Sequence, residues 1–426
     1  MLRRLAPSPP MIAHLSITKR SLAFILGALA MLGPFSIDTV FPAFAVMASE
    51  LGVGKLAMQQ TISVYLLGYA AMSLVHGPLS DALGRRPVIL AGVAVFGIAS
   101  IGCAMSSTMT QMLAFRALQG LSAGVGLIVG RAVVRDALDG DDAQRLMSHI
   151  SMIFGVAPAI APIIGGWILG WSNWQGIFWF MALLSFGLLL LTALALPESH
   201  PVEERIPLNL RGMAGAYREI LGNGRFRLLA LAGTANFGAL FLYITSAPAF
   251  VLDILKLNEQ QFGYFFAPTI GGMILGAYFS GRSAGRITGV RLANIGFAFC
   301  GLAALGNIAY NLLVSVPEFP WAVLPTVFSA FGIALVFPII TLVILDMYPR
   351  MRGTASSMQA FVGLLSNAAI AGLLSPMLSD NPLHLALGAA AFTAVAYATW
   401  RWYLVHAERL PESNPQAISM QPTDDM

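Results

Sequence analysis

Charge is scarce in this chain. Lys and Arg supply 24 of 426 residues and Asp and Glu 20, so only 10% of the sequence is charged. A soluble domain is about 25% charged, and a surface of that kind cannot be built here. Cysteine is nearly absent: Cys103 and Cys300 each lie midway along an apolar run, with no spacing for a disulfide, metal or redox pair. Both read as small packing residues, and no cofactor or metal is expected. A nucleotide signature is missing too. Gly52-Val53-Gly54-Lys55 imitates part of a P-loop, but Ser49 stands where its first glycine belongs, Leu56 follows the lysine, and no βα unit surrounds it. ATP-driven chemistry is disfavoured.

Apolar residues are what the chain has, at 57% and a mean hydropathy of +0.75. Runs of about 20 residues recur, each long enough to cross a hydrocarbon core of about 30 Å. A lone segment in lipid must satisfy its own backbone, so these runs read as helices. About twelve spans are expected, near 21–47, 58–77, 87–106, 109–131, 146–170, 174–196, 228–252, 261–281, 291–314, 320–345, 354–378 and 382–406. Ala43-Phe44-Ala45 imitates a signal-peptide cleavage site, but the preceding run is too long and holds Asp38. An uncleaved first helix is the better reading.

Basic residues set the orientation. Twenty-one of the 24, from Arg3 and Arg4 to Arg401 and Arg409, fall at the termini and in alternate loops, whereas the opposite loops hold only Lys55 and Lys256. Both termini are therefore expected in the cytoplasm. The basic balance is a topological bias, and no nucleic-acid partner is implied. The longest internal polar stretch, 197–227, divides the spans six and six. The expected organisation is a cytoplasmic segment 1–20, a six-helix bundle 21–196, a cytoplasmic linker 197–227, a second bundle 228–406 and a disordered tail 407–426. Between two such halves a cavity is expected. Small residues at Gly120, Gly124 and Gly126, Gly165 and Gly166, and Gly271, Gly272 and Gly276 suit close helix packing in lipid.

A charge deep in a span is a functional candidate by default. Asp38 and Arg116 are the two deepest. By helical rise they lie about 14 Å and about 10 Å from the outer ends of their helices, so they could share a depth and one cavity. Burial and a neighbouring cation act oppositely on a carboxyl, so Asp38 could cycle between charged and protonated forms. A static Asp38–Arg116 pair, or direct binding of a cationic substrate, are the alternatives. His149 reads as a solvated or packed histidine. Asn236 and Asn367 face either the cavity or neighbouring helices. Met31 and Phe35 share the face of Asp38, Phe237, Phe241 and Tyr243 surround Asn236, and Phe265 and Phe266 occupy the eighth span. Together these nine residues are the candidate lining of a wide apolar pocket, the sort amphipathic drugs need.

Between the second and third spans lies Gly77-Pro78-Leu79-Ser80-Asp81-Ala82-Leu83-Gly84-Arg85-Arg86. With Gly77, Asp81, Gly84, Arg85 and Arg86 in place it resembles the signature loop of the major facilitator superfamily. Ser280-Gly281-Arg282-Ser283-Ala284-Gly285-Arg286 is a worn copy at the matching place in the second half. Arg116-Ala117-Leu118-Gln119-Gly120 resembles a motif linked to proton transfer. Ala157-Pro158-Ala159-Ile160-Ala161-Pro162-Ile163-Ile164-Gly165-Gly166 resembles the antiporter motif, with Ala161 replacing a glycine. Leu32-Gly33-Pro34-Phe35-Ser36-Ile37-Asp38, Arg131-Ala132-Val133-Val134-Arg135-Asp136 and Tyr243-Ile244-Thr245-Ser246-Ala247-Pro248-Ala249-Phe250-Val251 narrow the likeness to the bicyclomycin-resistance and chloramphenicol-efflux family of drug/proton antiporters.

The resemblance implies an all-α membrane protein of the major facilitator fold, two six-helix bundles related by a pseudo-two-fold axis. It implies a monomer of the bacterial inner membrane that exchanges protons for small amphipathic antimicrobials by alternating access. Asp38 would carry the proton, with Arg116 as its modulator. Asp81 would pair with Arg131 or Arg135 and cap a helix of the other half. Together with Gly77, Gly84, Arg85, Arg86, Pro158, Pro162, Gly165 and Gly166 it would form the gating set. The alternative is an exporter or symporter of a neutral metabolite such as a sugar or amino-acid derivative. No enzymatic activity is expected, since one deep carboxylate beside one arginine supplies no catalytic pair.

Overall fold

A computed structural model describes residues 18–138, 140–283, 286–349 and 351–406. All regular structure among them is helical. Before the linker run α1 (Lys19–Asp38), a 3-10 turn at Phe41–Ala43, α2 (Phe44–Glu50), α3 (Lys55–Ser73), α4 (His76–Leu83), α5 (Arg85–Ala104), α6 (Met109–Ala123), α7 (Val125–Ala137), α8 (Gly140–Trp171) and α9 (Trp174–Ala195). The linker carries α10 (Leu210–Gly222). After it come α11 (Gly224–Thr245), a π-helical turn at Ala249–Ile254, α12 (Gly263–Ser283), α13 (Gly289–Leu313) and α14 (Leu324–Met347). Then follow α15 (Arg352–Ala369), a second π-helical turn at Ile370–Leu374, α16 (Ser375–Leu378) and α17 (Pro382–His406).

Ten helical stretches among the described residues are long and apolar enough to cross a membrane, so this is a multi-pass membrane protein. The expected second span is two pieces: α3 and α4 meet at 47°, and the expected fifth contains a shorter apolar stretch, Gly155–Trp171. Large apolar side chains such as Leu183, Leu194, Leu302 and Leu313 point outward and stay exposed, as lipid-facing residues can. The expected segment 1–20 and tail 407–426 fall largely or wholly outside the described residues.

Helix ends follow local chemistry. Thr18, Thr108, Asn173, Asn209 and Thr288 each accept a main-chain N–H of the first turn that follows, meeting donors a helix leaves unpaired. The α3–α4 bend has a proline cause. Pro78 lacks the N–H that would bond Leu74 C=O, and the Tyr217 hydroxyl of α10 donates to that carbonyl at 2.8 Å. Burial pushes the Tyr217 hydroxyl above its usual range, so it remains a donor at neutral pH.

Pro42-Ala43-Phe44 after α1 recurs as Pro248-Ala249-Phe250 after α11, and at both places the α-helical pattern changes. These breaks lie at the end of the molecule that carries Lys55. The opposite end carries the linker and the 77–86 loop. One continuous apolar core runs through the first half and across to Phe265, Phe266 and Ile370 at the Lys55 end. A second core, around Phe226, Ile340, Tyr348 and Trp400, fills the linker end of the second half.

Candidate functional site

Asp38 is the last residue of α1 and is 4% exposed. It has no hydrogen-bond or salt-bridge partner among the described residues. The helix end beyond it is closed by Thr39, whose hydroxyl donates to Phe35 C=O at 2.6 Å. Carbonyls, not N–H groups, point from that end of α1, so the helix offers a negative charge no favour there. On the same face, Met31 and Phe35 pack into a small apolar cluster with Ala157 and Ala161 of α8 and Phe180 and Leu184 of α9. These two residues are therefore packed within the first half.

Arg116 does not pair with Asp38. Its Nη1 donates to Ser36 C=O, Ser36 Oγ and Gln119 Oε1, each at 2.9 Å, and its Nε donates to Thr61 C=O at 3.3 Å. The guanidinium lies 4.6 Å from the centre of the Tyr65 ring, a favourable seat for a cation. Gln119 passes the network on, donating to Ser100 Oγ at 2.7 Å, while the Tyr65 hydroxyl donates to Gly33 C=O at 3.0 Å. Ser36 and Asp38 are two residues apart, so their side chains point about 200° apart around α1. Counting rise gave the depth of the two charges and said nothing of azimuth. Arg116 thus ties α1, α3, α5 and α6 through neutral acceptors.

The second-half candidates divide. Asn236 is fully buried against Cys300, whose thiol meets its Oδ1 at 3.7 Å, and its Nδ2 has no partner among the described residues. Asn367 is buried with its Oδ1 unpartnered. Phe237 stacks on Phe241, ring centres 5.9 Å apart. Tyr243 accepts from Asn307 Nδ2 at 2.8 Å and meets Phe250 edge-on. Phe265 and Phe266 are fully buried, and Phe266 stacks on Phe41 of the first half at 6.1 Å. Phe250 continues the row against Phe265. Of these ring contacts Phe41–Phe266 joins the halves, and burial of both rings leaves neither Phe265 nor Phe266 lining an open space.

At the linker end, Arg85 is the hub of the 77–86 loop. It bonds Asp81 and Ser80 Oγ, and its Nε donates to Asp136 Oδ2 at 2.9 Å. The expected partner of Asp81, Arg131 or Arg135, is not the one found. The residue from the end of α7 is the acid Asp136, and it pairs with Arg85. Glu198, just past α9, accepts the main-chain N–H groups of Arg85 at 2.9 Å and Arg86 at 3.3 Å, capping α5. Arg86 Nη2 donates to Ala193 C=O at 2.6 Å. Gly84 adopts φ +99°, and a side chain there would strike Arg205 and Glu198. Gly77 has open space beside it. Among the described residues Asp81 makes no side-chain bond into the second half, so the expected latch across the halves is not engaged.

The motif in α8 works at the Lys55 end. A Cβ on Gly165 would sit 2.0 Å from Thr39 O, and one on Gly166 would sit 2.3 Å from Glu259 O. One glycine admits α1's end and the other admits the second half. Pro158 and Pro162 lie within this same helix. Beside it, α3 carries a row of donors that sequence reasoning missed. Lys55 Nζ meets Asp253 at 3.1 Å and Asp380 at 3.0 Å. Gln59 donates to Thr245 C=O at 2.8 Å, Gln60 to Gly372 C=O at 2.9 Å and Ser63 to Ala368 C=O at 2.8 Å. Their spacing along α3 was the available signal. The halves are bonded together at the Lys55 end.

Comparison with known proteins agrees with this architecture. Residues 24–371 match the Major Facilitator Superfamily, and the chain belongs to that family of membrane transporters. It is 30% identical over 401 residues to the uncharacterized MFS-type transporter YdgK of Bacillus subtilis, covering 92% of this chain and 97% of that one. It is 29% identical to the bicyclomycin resistance protein homolog of Haemophilus influenzae, covering 88% and 95%. It is also 29% identical to multidrug resistance protein D of Escherichia coli, covering 85% and 90%. These relatives agree with the resemblance to the bicyclomycin-resistance branch. Among solved structures, a bacterial homolog of the human lysosomal transporter Spinster, in an inward-facing and unoccupied conformation, aligns with a TM-score of 0.70 at 17% identity, covering 96% of this chain and all of that one. At that identity the likeness is one of fold.

Proposed function

We propose that this transporter exports small amphipathic antimicrobials, of chloramphenicol or bicyclomycin type, in exchange for protons. The names of the bicyclomycin-resistance and multidrug-resistance relatives favour this substrate class. The observation that carries the coupling is Asp38, a buried carboxyl with no counter-ion among the described residues. An unpaired charge in hydrocarbon is costly, so the site accepts negative charge only when a proton or substrate dipole compensates it. Proton and drug then compete for one place, and their exchange follows.

Twelve spans in two six-helix bundles, 21–196 and 228–406, would rock about a midplane site, with both termini in the cytoplasm of a bacterium. In that orientation Lys55 faces outward, and the state described is sealed outside. Binding would involve Asn236 and Asn367, whose amides keep unused hydrogen-bonding capacity, together with Phe237, Phe241 and Tyr243. Met31 and Phe35 shape the wall behind Asp38. Phe265 and Phe266 belong to the outer seal, exposed to substrate only as it opens. Asp81, Arg85, Arg86, Arg131 and Arg135 serve the inner gate. Arg116 acts on Asp38 indirectly, by fixing the Ser36 turn of α1.

The test is transport by purified protein in proteoliposomes with an imposed pH gradient. Drug should accumulate against its own gradient, with one-way proton movement on drug addition. Accumulation that ignores the pH gradient and a protonophore would count against exchange.

A further inference from the structure

One bond of the Lys55 end has a special acceptor. Gln60 of α3 donates its Nε2–H to Gly372 C=O at 2.9 Å. In an α-helix that carbonyl would take the N–H four residues on, but that residue is Pro376, which has none. The helical pattern is already altered there, with a π turn at Ile370–Leu374 ahead of α16. Gly372 also lets α3 come close: a Cβ there would lie 2.6 Å from Ser63 Oγ. The carbonyl has thus lost its own helix's α-helical donor, and a side chain of the other half supplies one.

The same construction occurs at the linker end, where Pro78 strands Leu74 C=O and Tyr217 donates to it at 2.8 Å. A main-chain carbonyl that has lost its α-helical donor in an apolar setting is costly unless another group satisfies it. A bond to such a group is therefore worth more to the closed state than one to a carbonyl already engaged in its helix.

We propose that Gln60 is a gating residue, and that it holds the Lys55 end shut because Pro376 has deprived Gly372 C=O of its helical partner. When the halves part, water must replace the Gln60 amide at that carbonyl, so opening and wetting of this end occur together. Ser63 and Gln59 lie alongside, and the residues four beyond their acceptors, Gly372 and Ala249, are not prolines. The inference rests on the alternating-access reading above.

The test is a double-mutant cycle read by spin-label distances in lipid, with no drug or pH gradient. Labels go on cysteines introduced at Leu56 and Glu318, both exposed at the Lys55 end; native Cys103 and Cys300 are buried. Gln60→Met, which keeps length and removes the N–H, should enlarge the long-distance, open population. In a Pro376→Ala background, where an N–H is returned to the helix, the same change should have little effect. An equal shift in both backgrounds, or none in either, overturns the inference. If Pro376→Ala does not fold, Gln60→Lys decides: a donor restored must close the end again, and an end left as open as in Gln60→Met overturns it. A wild-type protein that shows one distance under every condition speaks against alternating access itself, whereas equal shifts speak against Gln60 alone.

Discussion

Arg116 donates to both the carbonyl and the hydroxyl of Ser36, at 2.9 Å each, and so faces away from Asp38 two residues later. The strongest base in the membrane interior is spent on holding helices together. The strongest acid there is left alone. Under the proposed exchange, that division separates a structural charge from a working one.

Removing Arg116 should be felt as lost stability. Arg116→Met leaves Ser36, Thr61 and Gln119 without their donor, and hydrogen bonds to a charged group are worth about 1.5–3 kcal/mol each. Thermal unfolding in detergent should fall markedly. A cycle with Gln119→Ala should show coupling of about 1–2 kcal/mol; additive losses would mean the two residues act separately.

Gly165 and Gly166 are neighbours with different partners, Thr39 within the half and Glu259 across it. Gly165→Ala should destabilise the protein in every state. Gly166→Ala should chiefly disfavour the sealed Lys55 end, raising the reactivity of a cysteine at Leu56 or Glu318 toward an impermeant thiol reagent. Equal effects of the two changes on stability and access would contradict this assignment.

At the linker end, Asp136→Asn should disturb the Arg85 cluster about as much as Asp81→Asn, because Arg85 bridges both acids. Arg85 is buried, and shielded hydrogen bonds to a charged group contribute about 1.5–3 kcal/mol, so each loss should be measurable and the double variant should cost less than their sum. Limited proteolysis within 197–209 reports it, since Ser199 also bonds Asp136.

Tyr217→Phe should lower stability by about 1 kcal/mol by stranding Leu74 C=O. Pro78→Ala should abolish most of that cost by returning an N–H to the helix. Unfolding midpoints of the four proteins check the cycle, and a cost unchanged by Pro78→Ala would place it in packing.

Much of the architecture was legible in advance, because a bilayer leaves few options. Apolar length located most of the helices. The second span was harder: Pro78 sits inside an apolar run, and hydropathy does not register the bend it makes. The depth of Asp38 and Arg116 could be counted from helical rise, but which way each points depends on neighbours. The family resemblance implies Arg131 or Arg135 as the partner of Asp81, whereas here Arg85, four residues on, takes Asp81, and Asp136, next to Arg135, reaches Arg85. Phe265 and Phe266 look like pocket residues in sequence, since an aromatic seam and an aromatic pocket have the same composition. The spacing of Gln59, Gln60 and Ser63 along α3 marks a polar row, but not its partners, because the acceptors are main-chain carbonyls of distant helices.

The central claim is that Asp38 carries the exchanged proton. Wild type and Asp38→Asn should be reconstituted at equal density and given the same pH gradient and drug. Wild type should accumulate drug uphill, while Asp38→Asn, folded to the same melting temperature, should only equilibrate it along its own gradient and move no protons. Uphill accumulation by Asp38→Asn at the wild-type rate would contradict it.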